Sequence, residues 1–97
     1  MLINNKEYII CSAIWFDDGV KHPHQPKNID IGYVVCGRRH HNCFQIQFMI
    51  DINHIEREQG FLTNTDRFVD REEAGQIAYD AGQITEKNNF LFSEDLW

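Results

Sequence analysis

Hydrophobic and polar positions divide the chain into stretches of different period. Residues 7–16, EYIICSAIWF, form a nearly unbroken apolar run rich in β-branched and aromatic side chains, closed by DDG. Such side chains favour extended backbone, so the run predicts a strand leading into a hairpin turn. KHPHQPKN follows, and its two prolines, lacking an amide donor, keep it out of the centre of a sheet. Residues 29–37, IDIGYVVCG, predict a second strand that ends at a glycine.

Between Arg38 and Asp51 the period lengthens. Phe44 and Phe48 stand four apart, and Cys43, Ile46 and Ile50 fall near the same stripe, the spacing of an amphipathic helix that begins near an RRHH cluster. INHIEREQ is polar and predicts the end of that helix or a loop. GFLTNTDRFVD, from residue 60 to 70, predicts short extended pieces at 60–63 and 66–69 around an Asn-Thr-Asp turn. Asp70 followed by Glu73 predicts a capping box, and REEAGQIAYDAGQ a helix. Ala74, Ile77, Ala78 and Ala81 supply its apolar face, and Gly82 suits the position just past its end. The tail NNFLFSEDLW closes on Leu96 and Trp97, which predicts docking on the domain or on a partner subunit. The elements add up to a single α+β domain over residues 1–97, a small antiparallel sheet with two packed helices.

Charge narrows the function classes. The net charge is −6, unevenly spread: residues 1–50 hold five Lys/Arg against four Asp/Glu, and residues 51–97 hold four against eleven. A nucleic-acid polymer is gripped by a broad basic face, so this balance favours a local pocket for a small anion. No apolar run reaches the ~20 residues a membrane span needs, and the N-terminus lacks a basic region and cleavage site, so the chain reads as cytoplasmic. Cys11, Cys36 and Cys43, an odd count without a secretion signal, read as reduced thiols.

Against this acidic background GRRHHNCFQ, residues 37–45, stands out. His40, His41 and Cys43 could join His22 and His24 around zinc, but adjacent histidines on a helix diverge by about 100° and the two arginines repel a dication. Paired histidines could act as general acid and base, with Cys43 as a nucleophile activated by its cationic neighbours. Anion recognition without chemistry needs the least: free N–H groups at a helix start, Gly37 for close backbone approach, Arg38 and Arg39 as bidentate forks, and His40 and His41 as donors or stacking surfaces. The plain alternative is a solvated Arg pair and a histidine satisfied within the core. A second constellation comprises Phe61, Asn64, Arg67, Phe68 and Arg71. Phe61 could stack on a base and Arg67 hold a pyrophosphate, or Phe68 could belong to the core while Arg67 and Arg71 pair with Glu72 or Glu73.

The strings IICSAIWFDDG, HPHQPKNI, GYVVCGRRHHNCF, GFLTNTDRFVDREEAGQIAYDAGQI and LFSEDLW, taken together over roughly residues 8–97, resemble a family of small phage-encoded proteins, the Thoeris anti-defence type 1 family. That resemblance implies a sponge that binds cyclic ADP-ribose isomers, and in some members cyclic oligonucleotides, without cleaving them. It also implies an assembly of dimers needing no metal or cofactor. It implies arginines on phosphates, here Arg38, Arg39 and Arg67, an aromatic ring on adenine, here Phe61, and a polar contact from Asn64. The expectation is therefore a non-enzymatic homo-oligomer that sequesters a cyclic nucleotide in the host cytoplasm. The alternatives are a histidine-dependent phosphodiesterase or nucleotide hydrolase, and an acidic module that inhibits a basic protein partner.

Overall fold

The computed structural model of the chain describes residues 6–50 and 55–97. β1 (Ile9–Asp17), β2 (Tyr33–Gly37), α1 (His40–Ile50), β3 (Ile55–Thr63), β4 (Phe68–Asp70) and α2 (Arg71–Asp80) follow in chain order, with a 3-10 turn at Ser93–Asp95. The strands form one antiparallel sheet in the order β2-β1-β3-β4. The predicted α+β architecture is the observed one. Because β2 and β3 both oppose β1, they run parallel with β1 between them, and such a pair needs a crossover, which α1 provides.

Two boundaries differ from the sequence reading. The second strand starts at Tyr33, since Gly32 takes φ +86°, and a Cβ there would come 2.2 Å from the Phe16 carbonyl oxygen. Residues 29–32 instead lie outside the strand: Gly32 bridges to Lys21, and Trp15 Nε1 donates to the Ile31 carbonyl at 2.8 Å. The polar stretch read as a helix end or loop contains the start of β3, with Glu58 and Gln59 paired to Trp15 and Ile14. A nine-residue central strand offers pairing along its whole length, and a strand needs apolar side chains only at alternate positions. Residues 51–54, and the side chains of Phe48 and Ile50, lie outside the described residues.

Partners across the ladder share a face. Ser12, Ile14 and Phe16 join Val35, Phe61 and Val69 on the face that both helices cover. α1 packs there through Cys43 against Ile14, Phe16 and Val35, while Phe44 and Ile46 stay 40% and 41% exposed. α2 packs through Ala74 and Ala78 against Ile9, Phe61 and Val69. A register shift between Ile9 and Cys11 marks a bulge that lets Ile9 and Ser12, three apart, turn to the same side and leaves Ile10 exposed. On the opposite face the Phe68 ring lies over Gly60, where a Cβ would come 2.8 Å from it, and Trp15 meets Phe68 edge-on at 6.3 Å. The proline-bearing segment covers this side, and the Asn28 side chain bonds both the N–H and the carbonyl of Phe68, taking the place of a fifth strand.

α2 begins and ends on local chemistry. Asp70 Oδ1 accepts the Glu73 N–H at 2.8 Å, while the Glu73 carboxylate turns to Arg67 instead of closing the predicted box. Gly82, at φ +77°, donates to Tyr79 and Gln83 donates to Ala78, the paired bonds of a Schellman ending. Leu91 is fully buried, and Leu96 and Trp97 pack on the same core cluster, so the tail docks on its own domain.

Candidate functional site

The chain leaves β2 at Gly37 and enters α1 through Arg38 and Arg39. A Cβ on Gly37 would come 3.0 Å from Asn42 Cβ, so the backbone passes tightly under the helix start. Ser12 Oγ donates to the Arg38 carbonyl at 3.0 Å, and the Arg39 N–H donates to Asn42 Oδ1 at 3.1 Å. Cys43 anchors the turn from below: wholly buried, its thiol points at the Ser12 and Arg39 carbonyls.

This local fold sorts the two arginines and the two histidines. Arg38 and His41 project into solvent, and no side chain among the described residues pairs with either. Arg39 is half-buried, and its Nη2 donates to the Trp97 oxygen at 2.6 Å, fastening the helix start to the end of the chain. His40 turns inward, 7% exposed, with Nε2 2.7 Å from the Gly60 carbonyl oxygen and its ring edge-on to Phe61 at 5.0 Å. No acidic residue occupies the first turn of α1, so the positive helix end is left uncompensated locally.

The second constellation has a different fate. Phe61 is fully buried, so it has no open face on which a base could stack, and its part is in the core. Asn64 holds the N-terminal segment: Oδ1 accepts the Tyr8 N–H at 2.7 Å and Nδ2 donates to the Lys6 carbonyl at 3.2 Å. Arg67 is occupied by two carboxylates, with Nε and Nη2 on Glu7 at 2.9 and 2.8 Å and Nη2 also on Glu73 at 2.9 Å. Thr63 and Thr65 donate to the same Glu7 oxygen. The Arg67 bonds come first, and with the two hydroxyls they outweigh burial and hold the Glu7 carboxyl down at about 2. The two constellations touch where His40 meets Phe61.

The remaining histidines lie elsewhere. His22 sits 2.6 Å from Asp18 and edge-on to Tyr33, at the end of β2 opposite Gly37, and His24 is exposed. Against the cost of burial, the His22 and Val20 bonds keep the Asp18 carboxyl below the usual carboxylate range. Burial pushes the Cys43 thiol up to about 12, with the nearby Cys36 adding to the shift, so at neutral pH it is a hydrogen-bond donor and not a nucleophile. Among the described residues no three His, Cys, Asp or Glu side chains are arranged to hold a metal ion.

A groove beside β3 carries no signal in the sequence. Arg71 lies against the Phe90 and Phe92 rings, 5.6 and 5.0 Å from their centroids, and donates to the Leu91 carbonyl and Gln59 Oε1. Arg57 lies 4.8 Å over Trp15 and pairs with Asp17 at 3.0 Å. Arg57, Arg71 and Phe90 line an open groove of about 500 Å³ together with Glu58, Asp70 and Glu72. No periodicity links these residues, because the groove exists only through the pairing of Gly60 with Asp70. Three carboxylates against two guanidiniums make it a poor trap for anions.

No helix among the described residues is long and apolar enough to cross a membrane. No curated protein and no solved structure shows significant similarity to the chain. Residues 8–97 match a family model described as Phage T4 y16D protein, the span that also carries the motif strings read from the sequence, and the chain belongs to that phage protein family.

Proposed function

We propose that this phage protein binds and sequesters a small cyclic nucleotide signal of the cyclic ADP-ribose class, without cleaving it, and so counters a host defence that relies on the signal. The observation that carries the reading is the start of α1. Arg38 and His41 stand exposed, with no side-chain partner among the described residues, beside a helix end with no acidic residue in its first turn. Guanidinium and imidazole side chains beside the positive end of a helix are a donor set for phosphate oxygens. Arg38, Arg39 and His41 are the phosphate-facing groups, and His40 serves from behind as the strut that seats the turn on β3. Phe61, Asn64 and Arg67 act in this scheme as the support of the ribbon beneath.

Absence of cleavage is favoured by the state of the nearest reactive groups. His40 is committed to the Gly60 carbonyl and Cys43 to hydrogen donation from a buried thiol. A dinucleotide-sized ligand needs more enclosure than one helix start offers, and the apolar side chains that α1 leaves exposed, Phe44 and Ile46, favour a second protomer as the other wall.

The test mixes the purified chain with cyclic ADP-ribose isomers and cyclic oligonucleotides, removes free ligand, heat-denatures the protein and identifies the released molecules by mass. Intact ligand in proportion to protein supports sequestration. Cleaved ligand makes the protein a hydrolase, and no retained ligand directs attention to the acidic second half and a basic protein partner. Arg38→Ala with His41→Ala, both at exposed positions, is expected to weaken capture at least about tenfold with the thermal midpoint unchanged. Undiminished capture by that variant would remove the site assignment.

A further inference from the structure

The groove at Arg57 and Arg71 shares no residue with the start of α1. Glu58 and Asp70 belong to the same side of the sheet, since Asp70 pairs with Gly60, two residues on from Glu58. Glu72 follows in the first turn of α2. No cationic side chain among the described residues pairs with Glu58 or Glu72. The two guanidiniums of the groove are already committed. Arg57 stacks on Trp15 and pairs with Asp17, while Arg71 donates to the Leu91 carbonyl and Gln59 and lies against two rings. Those rings, Phe90 and Phe92, stand 5.3 Å apart and are 48% and 50% exposed, with Leu91 buried between them. A second depression of about 510 Å³ meets the groove along Asp70, Glu72 and Asn89, and there Asp70, Glu72 and Glu73 outnumber Lys87.

We propose that this groove docks a basic peptide segment of a protein partner, with arginine or lysine side chains among Glu58, Asp70 and Glu72 and an apolar side chain on Phe90 and Phe92. Charge complementarity selects the occupant. Carboxylates without a cationic partner repel phosphate and carboxylate ligands and attract guanidinium or ammonium groups, which they can bind by charge-assisted hydrogen bonds. The rings select further. Aromatic side chains are enriched at the cores of protein interfaces, and two half-exposed rings side by side offer apolar area that a bare ammonium ion cannot cover. An open groove that runs on into a second depression suits a length of chain, whereas a small molecule is held by enclosure. The wider field acts in the same sense: residues 51–97 hold four Lys/Arg against eleven Asp/Glu, which draws a basic partner from solution. Peptide docking and anion capture use separate residues, and either can occur without the other.

Fluorescence anisotropy with the full chain tests the docking, using one short labelled peptide that alternates arginine with leucine and another that alternates arginine with serine. The leucine peptide should bind saturably and weaken as salt rises. Glu58→Gln with Glu72→Gln, both at exposed positions, should weaken it at least about fivefold with the thermal midpoint unchanged. Phe90→Ser with Phe92→Ser should weaken it to a similar extent, and the serine peptide should bind the unaltered chain at least about fivefold less tightly. Glu86→Gln with Glu94→Gln removes the same charge outside the groove and should change affinity by less than about twofold. Absence of saturable binding, equal losses in the two charge variants, or equal affinity for both peptides would overturn the proposal. So would displacement of the peptide by an equal concentration of spermine, which would make the groove a site for small polycations. Sedimentation adds one more outcome against it: a dimer of the unaltered chain that Glu58→Gln with Glu72→Gln dissociates would make the occupant a second copy.

Discussion

Glu7 precedes the first strand yet gathers Thr63, Thr65 and Arg67 of the β3–β4 hairpin, and so ties the start of the described chain to its middle. Because its folded pKa lies at about 2 against an ordinary value of 4.5, its contribution to stability is fully present above the unfolded pKa. It is lost as pH falls through that window, from near 4.5 to about 2. Glu7→Gln is expected to lower stability at neutral pH by about 1–2 kcal/mol and to flatten the pH dependence across the same window. Urea titrations of both proteins at several acidic pH values measure both effects. The pairing of Arg67 with Glu73 was among the alternatives the sequence allowed, since the two are six residues apart at a strand–helix junction. Glu7 was out of reach, because it meets Arg67 only through the β1–β3 ladder.

Among elements, α2 was the most legible because its signals are local. Asp70, Glu73 and Gly82 act within a few residues of themselves, and they bound the helix where the sequence placed it. Asp70→Ala should cost about 1 kcal/mol by leaving the Glu73 N–H without its acceptor, read as a shift in denaturant midpoint. Gly75 is a tertiary requirement on the same helix. A Cβ there would come 2.0 Å from the Asn88 carbonyl oxygen, and backbone cannot yield as a side-chain tip can. Gly75→Val is expected to destabilise by more than about 2 kcal/mol, well beyond what helix propensity alone predicts for a glycine replacement. α1 was legible in place but not in facing. Its apolar stripe put Phe44 and Ile46 with Cys43, whereas the sheet buries Cys43 completely and leaves the other two about 40% exposed. β3 was missed at its start because an alternating polar strand beside a long partner has no apolar run to announce it.

At the scale of the molecule, the C-terminal residues join the core to the proposed binding site. Leu96 and Trp97 pack on the cluster around Phe61, and the Trp97 oxygen accepts from Arg39 at the start of α1. Deleting residues 96 and 97 should therefore lower the thermal midpoint by several degrees, at roughly 4–8 °C per kcal/mol for a domain this small. It should also release Arg39 and weaken ligand capture more than the stability loss accounts for. Circular dichroism melts, with capture measured well below the melting range, separate the two effects. A truncated chain that melts lower yet captures ligand fully would show that Arg39 does not need its anchor.

The sequence by itself determined the class of fold, the order of most elements, the caps of α2 and the cationic character of the α1 start. These follow from short-range periodicity and from chemistry within one turn of backbone. Only the tertiary structure decided which of the candidate site residues face solvent. Phe61, Asn64 and Arg67 looked available because a linear reading cannot see the core, the Tyr8 and Lys6 backbone or the Glu7 carboxylate that occupy them. The same holds for the groove at Arg57 and Arg71. Strand register brings such residues together across long stretches of chain, and register is set by the burial of one whole sheet face and not by any local motif.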